Sequence, residues 1–151
     1  MPNNYLFIVN DLMIGGSRYS GDYIAETLLQ NGIWMCNEVT PNVRKFEEGD
    51  KGIVYVAGKG NRIFYGNFTI ASRPEKANST CFPKDIQALS LYFPMIMKLD
   101  CINIWPNKVP INEIKDLLTF INKRNYGLYF RQANRKLSDY DLEIILRSGN
   151  K

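Results

Sequence analysis

The spacing of apolar positions along this chain changes several times, and each change marks an element. "YLFIVND" (5–11) is an unbroken β-type run that stops in two polar residues, which predicts a first strand over 5–10. "LMIGGSRYSG" (12–21) is rich in glycine and serine, too irregular for a strand, and reads as a loop. Beyond it Ile24 and Leu28, flanked by Tyr23 and Thr27, recur at helical spacing. Ser20 stands as N-cap and Gly32 as the stop, giving a helix over 21–31. Trp34 in "GIWMCNE" follows that stop and precedes a short polar loop. "EEGDKGIVYVAGKGNRIFYGNFTIAS" (47–72) holds two β-rich runs, 52–57 and 62–70, joined by Gly58-Lys59-Gly60-Asn61 as a hairpin.

Residues 73–87 have turn composition and form a long connection in which Phe82 reads as exposed. Strand character resumes over 91–105, with Pro94 marking an edge or a strand entrance. Ile114, Leu117, Leu118 and Ile121 then share a helical face opposite Glu113 and Asp116, which predicts a helix over 110–122. "YGLYFRQ" (126–132) reads as a last strand, and "SDYDLEIILR" (138–147) as a closing helix with Ser138 and Asp141 in a capping box. No repeat or linker interrupts this order, so 1–151 reads as a single domain. Its fold class is α+β, with a strongly curved mixed or antiparallel sheet, or a small barrel, flanked by helices.

Composition narrows the chemistry. At 151 residues the chain can bury a core unaided, and its 45% hydrophobic and 23% charged residues are ordinary for a globular protein. No apolar run is long enough to span a membrane, and the N-terminus lacks signal-peptide features, so a cytoplasmic location is expected. The three cysteines lack C-x-x-C spacing and are expected as buried, reduced thiols, and no metal or cofactor site is expected. There is no histidine, which removes Ser-His-Asp and Cys-His pairs, H-E-x-x-H sites and imidazole bases. A net charge of +4 permits an anionic partner without requiring one.

Neither "GKGNR" nor "GGSRYSG" matches a phosphate-loop pattern. Arg18 and Ser20 nonetheless precede a helix N-terminus, where an anion is favoured, although capping alone accounts for Ser20. "NKRNYGLYFRQANRK" (122–136) interleaves Lys123, Arg124, Arg131, Arg135 and Lys136 with Tyr126, Tyr129 and Phe130, and contains no acid. Cations beside stacking rings are the composition of a single-strand binding surface; the alternative is a strand edge whose aromatics point into the core. Cys36 has no histidine to activate it and reads as a small packed thiol.

"NGIWMCNEVTPN", "FEEGDKGIVYVAG", "FYGNFTIAS" and "LLTFINKRNYGLYFRQANRKLSDYDLEIIL", in that order, resemble the EVE family of PUA-like proteins. The combination of "IW", "GD-x-x-x-x-Y" and "R-x-[LI]-[SP]-x-x-[DE]" carries the resemblance over almost the whole chain. "FIVND…NGIWMCNE" is also similar to YTH reader domains of methylated RNA. The resemblance implies an aromatic cage around one modified or unpaired base. Trp34 would form one wall and Phe82 a second, with Leu89, Leu91 or Phe93 as a third; Asn10, Asp11, Met35 and Cys36 would read the base edge. Tyr126 stands where the EVE pattern usually has tryptophan. The implied function is capture of a base from RNA or DNA, single-stranded or with the base flipped out, without catalysis or cofactor. Two rivals are an enzyme on nucleotides using Asp11 or Asp50 as acid or base, and a protein-interaction domain with a vestigial pocket. Asp50 reads more simply as a turn residue.

Overall fold

Strand β1 (Asn4–Val9) is buried along its whole length and feeds two separate cores. In a computed structural model that describes residues 2–58, 61–119 and 134–150, Tyr5, Phe7 and Val9 point into one core while Leu6 and Ile8 point into the other. Side chains alternate along a strand, so a run that is apolar at every position suits one covered on both faces.

The chain continues through β2 (Leu12–Ile14) and β3 (Ser17–Tyr19), helix α1 (Gly21–Gln30), β4 (Ile33–Cys36), β5 (Lys51–Gly58) and β6 (Asn61–Ile70). It then passes through β7 (Glu75–Lys76), two 3₁₀ segments, the long β8 (Met95–Pro110), α2 (Ile111–Ile114), β9 (Asn134–Leu137) and α3 (Asp139–Gly149). Among the described residues the main sheet runs β4-β8-β6-β5-β1-β9, with β7 also on β8. β1 pairs with β5 in parallel and with β9 antiparallel; the remaining pairs are antiparallel. Register shifts in β5–β6 and twice in β6–β8 bend the sheet, as bulges do. One shift sets aside 105–108 of β8, where Pro106 has no N–H to give the ladder. The result is the strongly curved mixed sheet with helices that the sequence implied.

The first core joins α1, through Ile24, Ala25, Leu28 and Leu29, to Phe7, Trp34, Phe46 and Phe68. The second packs Trp105, Phe64 and Tyr55 against α2 and α3. Strands and helix expected over 5–10, 52–57, 62–70 and 21–31 appear as β1, β5, β6 and α1. The closing helix is present, with the Ser138 hydroxyl accepting from the Asp141 N–H at 3.1 Å. Pro94 stands at the entrance to β8.

Several expectations are corrected. Residues 12–19 form a hairpin, because Gly15 (φ 56°) and Gly16 (φ 82°) supply the two left-handed residues of a tight two-residue turn. Trp34 lies within a strand, paired opposite Met97, rather than in a loop approach. Of the helix expected over 110–122, the described part up to 119 forms only α2 and a 3₁₀ turn at Lys115–Leu117, and 120–122 lie outside the described residues. Leu118 is extended there because buried Asp141 accepts both the N–H of Thr119 (2.8 Å) and its hydroxyl (2.5 Å), binding that backbone donor outside any helix. Phe82 is buried, and Cys81 and Cys101 are exposed; only Cys36 is a buried thiol. The strand expected over 126–132 lies outside the described residues. No helix among the described residues is long and apolar enough to cross a membrane.

At the β6–β8 bulge a Cβ on Gly66 would collide with the Asn103 carbonyl oxygen, a backbone atom that cannot swing aside. Gly66→Ala is therefore expected to lower stability by about 1–3 kcal/mol, the usual range for overpacking. A denaturant midpoint unchanged from the parent would refute the close approach.

Candidate functional site

A cavity of about 190 Å³ opens where β1 ends, α1 begins and β4 passes alongside. Phe7 and Asn10 line it from β1 and its end, Ile24 and Leu28 from α1, and Trp34, Met35 and Cys36 from β4. The loop after β4 adds Thr40 and Phe46, the entrance to β8 adds Phe93 and Met97, and β9 adds Asn134.

Trp34 is 6% exposed, with ring centroids 5.7 Å from Phe7 and 5.9 Å from Phe68. The core thus fixes the indole in place while part of it faces the cavity. Phe46, 5.2 Å from Phe7, closes the floor on the other side. Asn37 stitches the mouth. Its carboxamide oxygen accepts from the Val39 N–H and the Thr40 hydroxyl, both at 3.0 Å, and its Nδ2 donates to the Tyr92 carbonyl at 3.1 Å, one residue before Phe93. Asn134, 1% exposed, donates to the Pro41 carbonyl (2.6 Å) and accepts from Asn42 Nδ2 (2.8 Å), pegging the same loop to β9.

Thr40 and Asn134 are thus occupied within the protein. The Asn10 side chain is exposed and makes no hydrogen bond among the described residues, so its donor and acceptor are both available at the cavity. Among the described residues the lining carries no carboxylate, amine or guanidinium. The one ionisable group among them is Cys36, whose thiol burial pushes up to about 12, so it stays neutral at physiological pH. The space suits a neutral, flat, partly apolar ligand. No cluster of metal-binding side chains occurs among the described residues.

Of the residues singled out from sequence, Asn10, Trp34, Met35 and Cys36 meet at this cavity. Asp11 does not line it. Its Oδ1 accepts from the Gly21 N–H (2.8 Å) and its Oδ2 pairs with Arg18 (2.6 Å), so it organises the start of α1. Ser20 accepts from the Tyr23 N–H at 3.2 Å, the capping role, and Arg18 is committed to Asp11. Phe82 is packed inside its 3₁₀ connection and does not reach the cavity, whereas Phe93, another candidate wall, does. Arg135 pairs opposite Leu6 in the β1–β9 ladder, on the sheet face away from Phe7 and Asn134. Lys123, Arg124 and Arg131 lie outside the described residues. Asp50 is buried and accepts the N–H groups of Asn3 (2.9 Å) and Glu47 (3.0 Å), a turn role away from the cavity. Sequence reasoning missed Thr40, Phe46 and Asn134; the position of Asn134, a polar residue in a basic stretch, gave no local signal.

The family model described as EVE domain matches residues 18–148. No curated protein matches the chain. Human THYN1, solved in complex with DNA containing 5-methylcytosine, is similar in fold with a TM-score of 0.63 at 14% identity, over 99% of this chain and 98% of that one. The N-terminal domain of Staphylothermus marinus McrB gives a TM-score of 0.62 at 14% identity, over 97% and 94% of the two chains. The YTH domain of the Zygosaccharomyces rouxii MRB1 protein, in complex with N6-methyladenosine RNA, gives 0.56 at 12% identity, over 95% and 85%. At these identities the likeness establishes the fold.

The thiols offer a direct check of the cavity's burial. At pH 8 the native protein is expected to titrate two fast thiols, the exposed Cys81 and Cys101, while Cys36 reacts only after unfolding. Three equally fast thiols would show the cavity wall to be open.

Proposed function

The chain belongs to the EVE domain family, and on that premise we propose that it is a nucleic-acid-binding module that captures one modified or unpaired base of RNA or DNA in the cavity beside Trp34. The observation that carries this reading is a neutral, largely apolar space of about 190 Å³ walled by a rigidly held indole. An apolar cavity of about 150 Å³ accommodates benzene. The space therefore matches one base ring with a small substituent, and the charged backbone stays outside.

Extracting a base from its stack costs a few kcal/mol, and renewed contact with aromatic faces offsets that cost. Trp34 supplies one such face and Phe93 the other aromatic at the mouth, in place of Phe82. Asn10 then reads the base edge, since its carboxamide can both donate and accept. Met35, the neutral Cys36 thiol and Met97 give a soft apolar lining suited to a methyl substituent. The complexes of human THYN1 with 5-methylcytosine-containing DNA and of the YTH domain with N6-methyladenosine RNA favour a methylated base as the ligand. An acid–base mechanism finds no carboxylate or imidazole among the described residues of this lining, and Asp11 and Asp50 are held by other partners, which favours binding over turnover.

Titration of methylated and unmodified nucleosides, followed by tryptophan fluorescence, tests this reading. Asn10→Ala is expected to remain folded and to weaken the preferred base by about 1 kcal/mol, the worth of one hydrogen bond. Trp34→Phe keeps an aromatic in the core and should weaken the same ligand by about 1 kcal/mol or more through lost stacking area. Folded variants that both bind as the parent does would exclude the cavity as the site; conversion of a bound nucleoside to product would favour an enzyme.

A further inference from the structure

A second groove, of about 410 Å³, lies behind the base cavity and shares one wall with it, the buried ring of Phe46. Arg44 and Arg73 line this groove, with Pro74 and Met95 as its apolar floor. We propose that it is a phosphate subsite, holding the sugar and phosphate of the nucleotide that adjoins the captured base; the inference rests on the base-capture reading for its direction but on different residues.

Three observations carry it. First, Arg44 is exposed and makes no ion pair among the described residues, so its guanidinium is available to an anion. Second, among the described residues Arg73 pairs only with Glu47, at 2.9 Å, and both side chains are more than 60% exposed. So exposed a pair is worth little, and a phosphate, which matches the guanidinium fork, can displace the carboxylate. The groove's one lining carboxylate among the described residues, Glu38, faces Lys76 at 3.0 Å in an equally exposed pair, so the two guanidinium groups outnumber it on the groove wall. Third, the groove and the cavity are braced by the same contact. The loop that carries Arg44 is pinned by Asn134, which hydrogen-bonds Asn42 and the Pro41 carbonyl and itself lines the base cavity.

Two of the cations singled out from sequence are committed elsewhere on the described surface. Arg18 is held by Asp11, and Arg135 lies on the opposite face of the sheet. Arg44 and Arg73 are the guanidinium groups beside the cavity's outer wall.

The test compares the parent with Arg44→Gln/Arg73→Gln, whose side chains are exposed and whose replacement leaves both cores intact. The probes are 5-methyl-2′-deoxycytidine and N6-methyladenosine as free nucleosides, and pentanucleotides with each base at the centre, titrated at several salt concentrations. The expected result is unchanged nucleoside affinity, weaker pentanucleotide affinity, and a salt slope shallower by about 0.7 per arginine removed. Equal pentanucleotide affinity and slope in parent and double variant would overturn the phosphate subsite while leaving base capture standing. If the parent binds pentanucleotides without preference and binds no nucleoside, yet the double variant is weaker, base capture falls and the groove stands. A parent that binds none of the probes overturns both.

Discussion

Six consecutive residues of β1 are buried, and the rest of the architecture answers that constraint. A strand apolar on both faces has to be covered twice. Here α1, β4 and the loop through Phe46 cover the face of Tyr5, Phe7 and Val9, while α2, α3 and Trp105 cover that of Leu6 and Ile8. Its two edges are equally committed, to β5 in parallel and to β9 antiparallel. The strand can end only where this double cover ends, and that point is Asn10, where the first side chain to escape burial meets the cavity.

The cavity persists because its walls are held by contacts made elsewhere. Trp34 is fixed by Phe7 and Phe68 behind it, so the indole cannot swing forward to fill the space. The loop opposite cannot collapse inward, because Asn37 ties it to Tyr92 and Asn134 ties it to β9. Asn134 is a buried polar group with both ends of its amide satisfied, and removing it would leave the Pro41 carbonyl and the Asn42 amide without their partner. Preformed walls matter for a stacking site, since little ordering entropy then remains to be lost on binding.

What the sequence disclosed follows the range of the interactions involved. β1, β5, β6 and α1 were legible because their signals are local: period two, period 3.6, a serine cap and a glycine stop. The hairpin over 12–19 was hidden because a Gly-Gly pair is both a loop signal and a tight-turn signal, and only its flanking pairs distinguish the two. The helix expected over 110–122 was cut short by Asp141, a residue far along the chain that took the Thr119 N–H. At the site, Trp34, Met35, Cys36 and Asn10 are what the resemblance to YTH domains implies over "FIVND…NGIWMCNE", and all four line the cavity. Phe93 and Asn134 arrive through β8 and β9, so their place depends on sheet order, which no local pattern carries. Phe82 was selected by the turn-like composition around it, yet its ring packs inward.

The division of charge around Phe46 would let one small domain separate the two tasks proposed for it. On one side the lining is neutral and apolar, where a hydrogen bond to Asn10 is strengthened by low dielectric but any phosphate would be stranded without water. On the other side two guanidinium groups stand in an open, wet groove, where they attract an anion yet discriminate poorly among bases. Placing both functions in one space would fail, because a cation inside the cavity would need desolvation and a base in the groove would meet no aromatic among its described lining but the nearly buried Phe46. A single buried phenylalanine, 1% exposed and held against Tyr5 and Phe7, keeps the two spaces one side chain apart, so that under the proposed reading base recognition and backbone contact would vary independently.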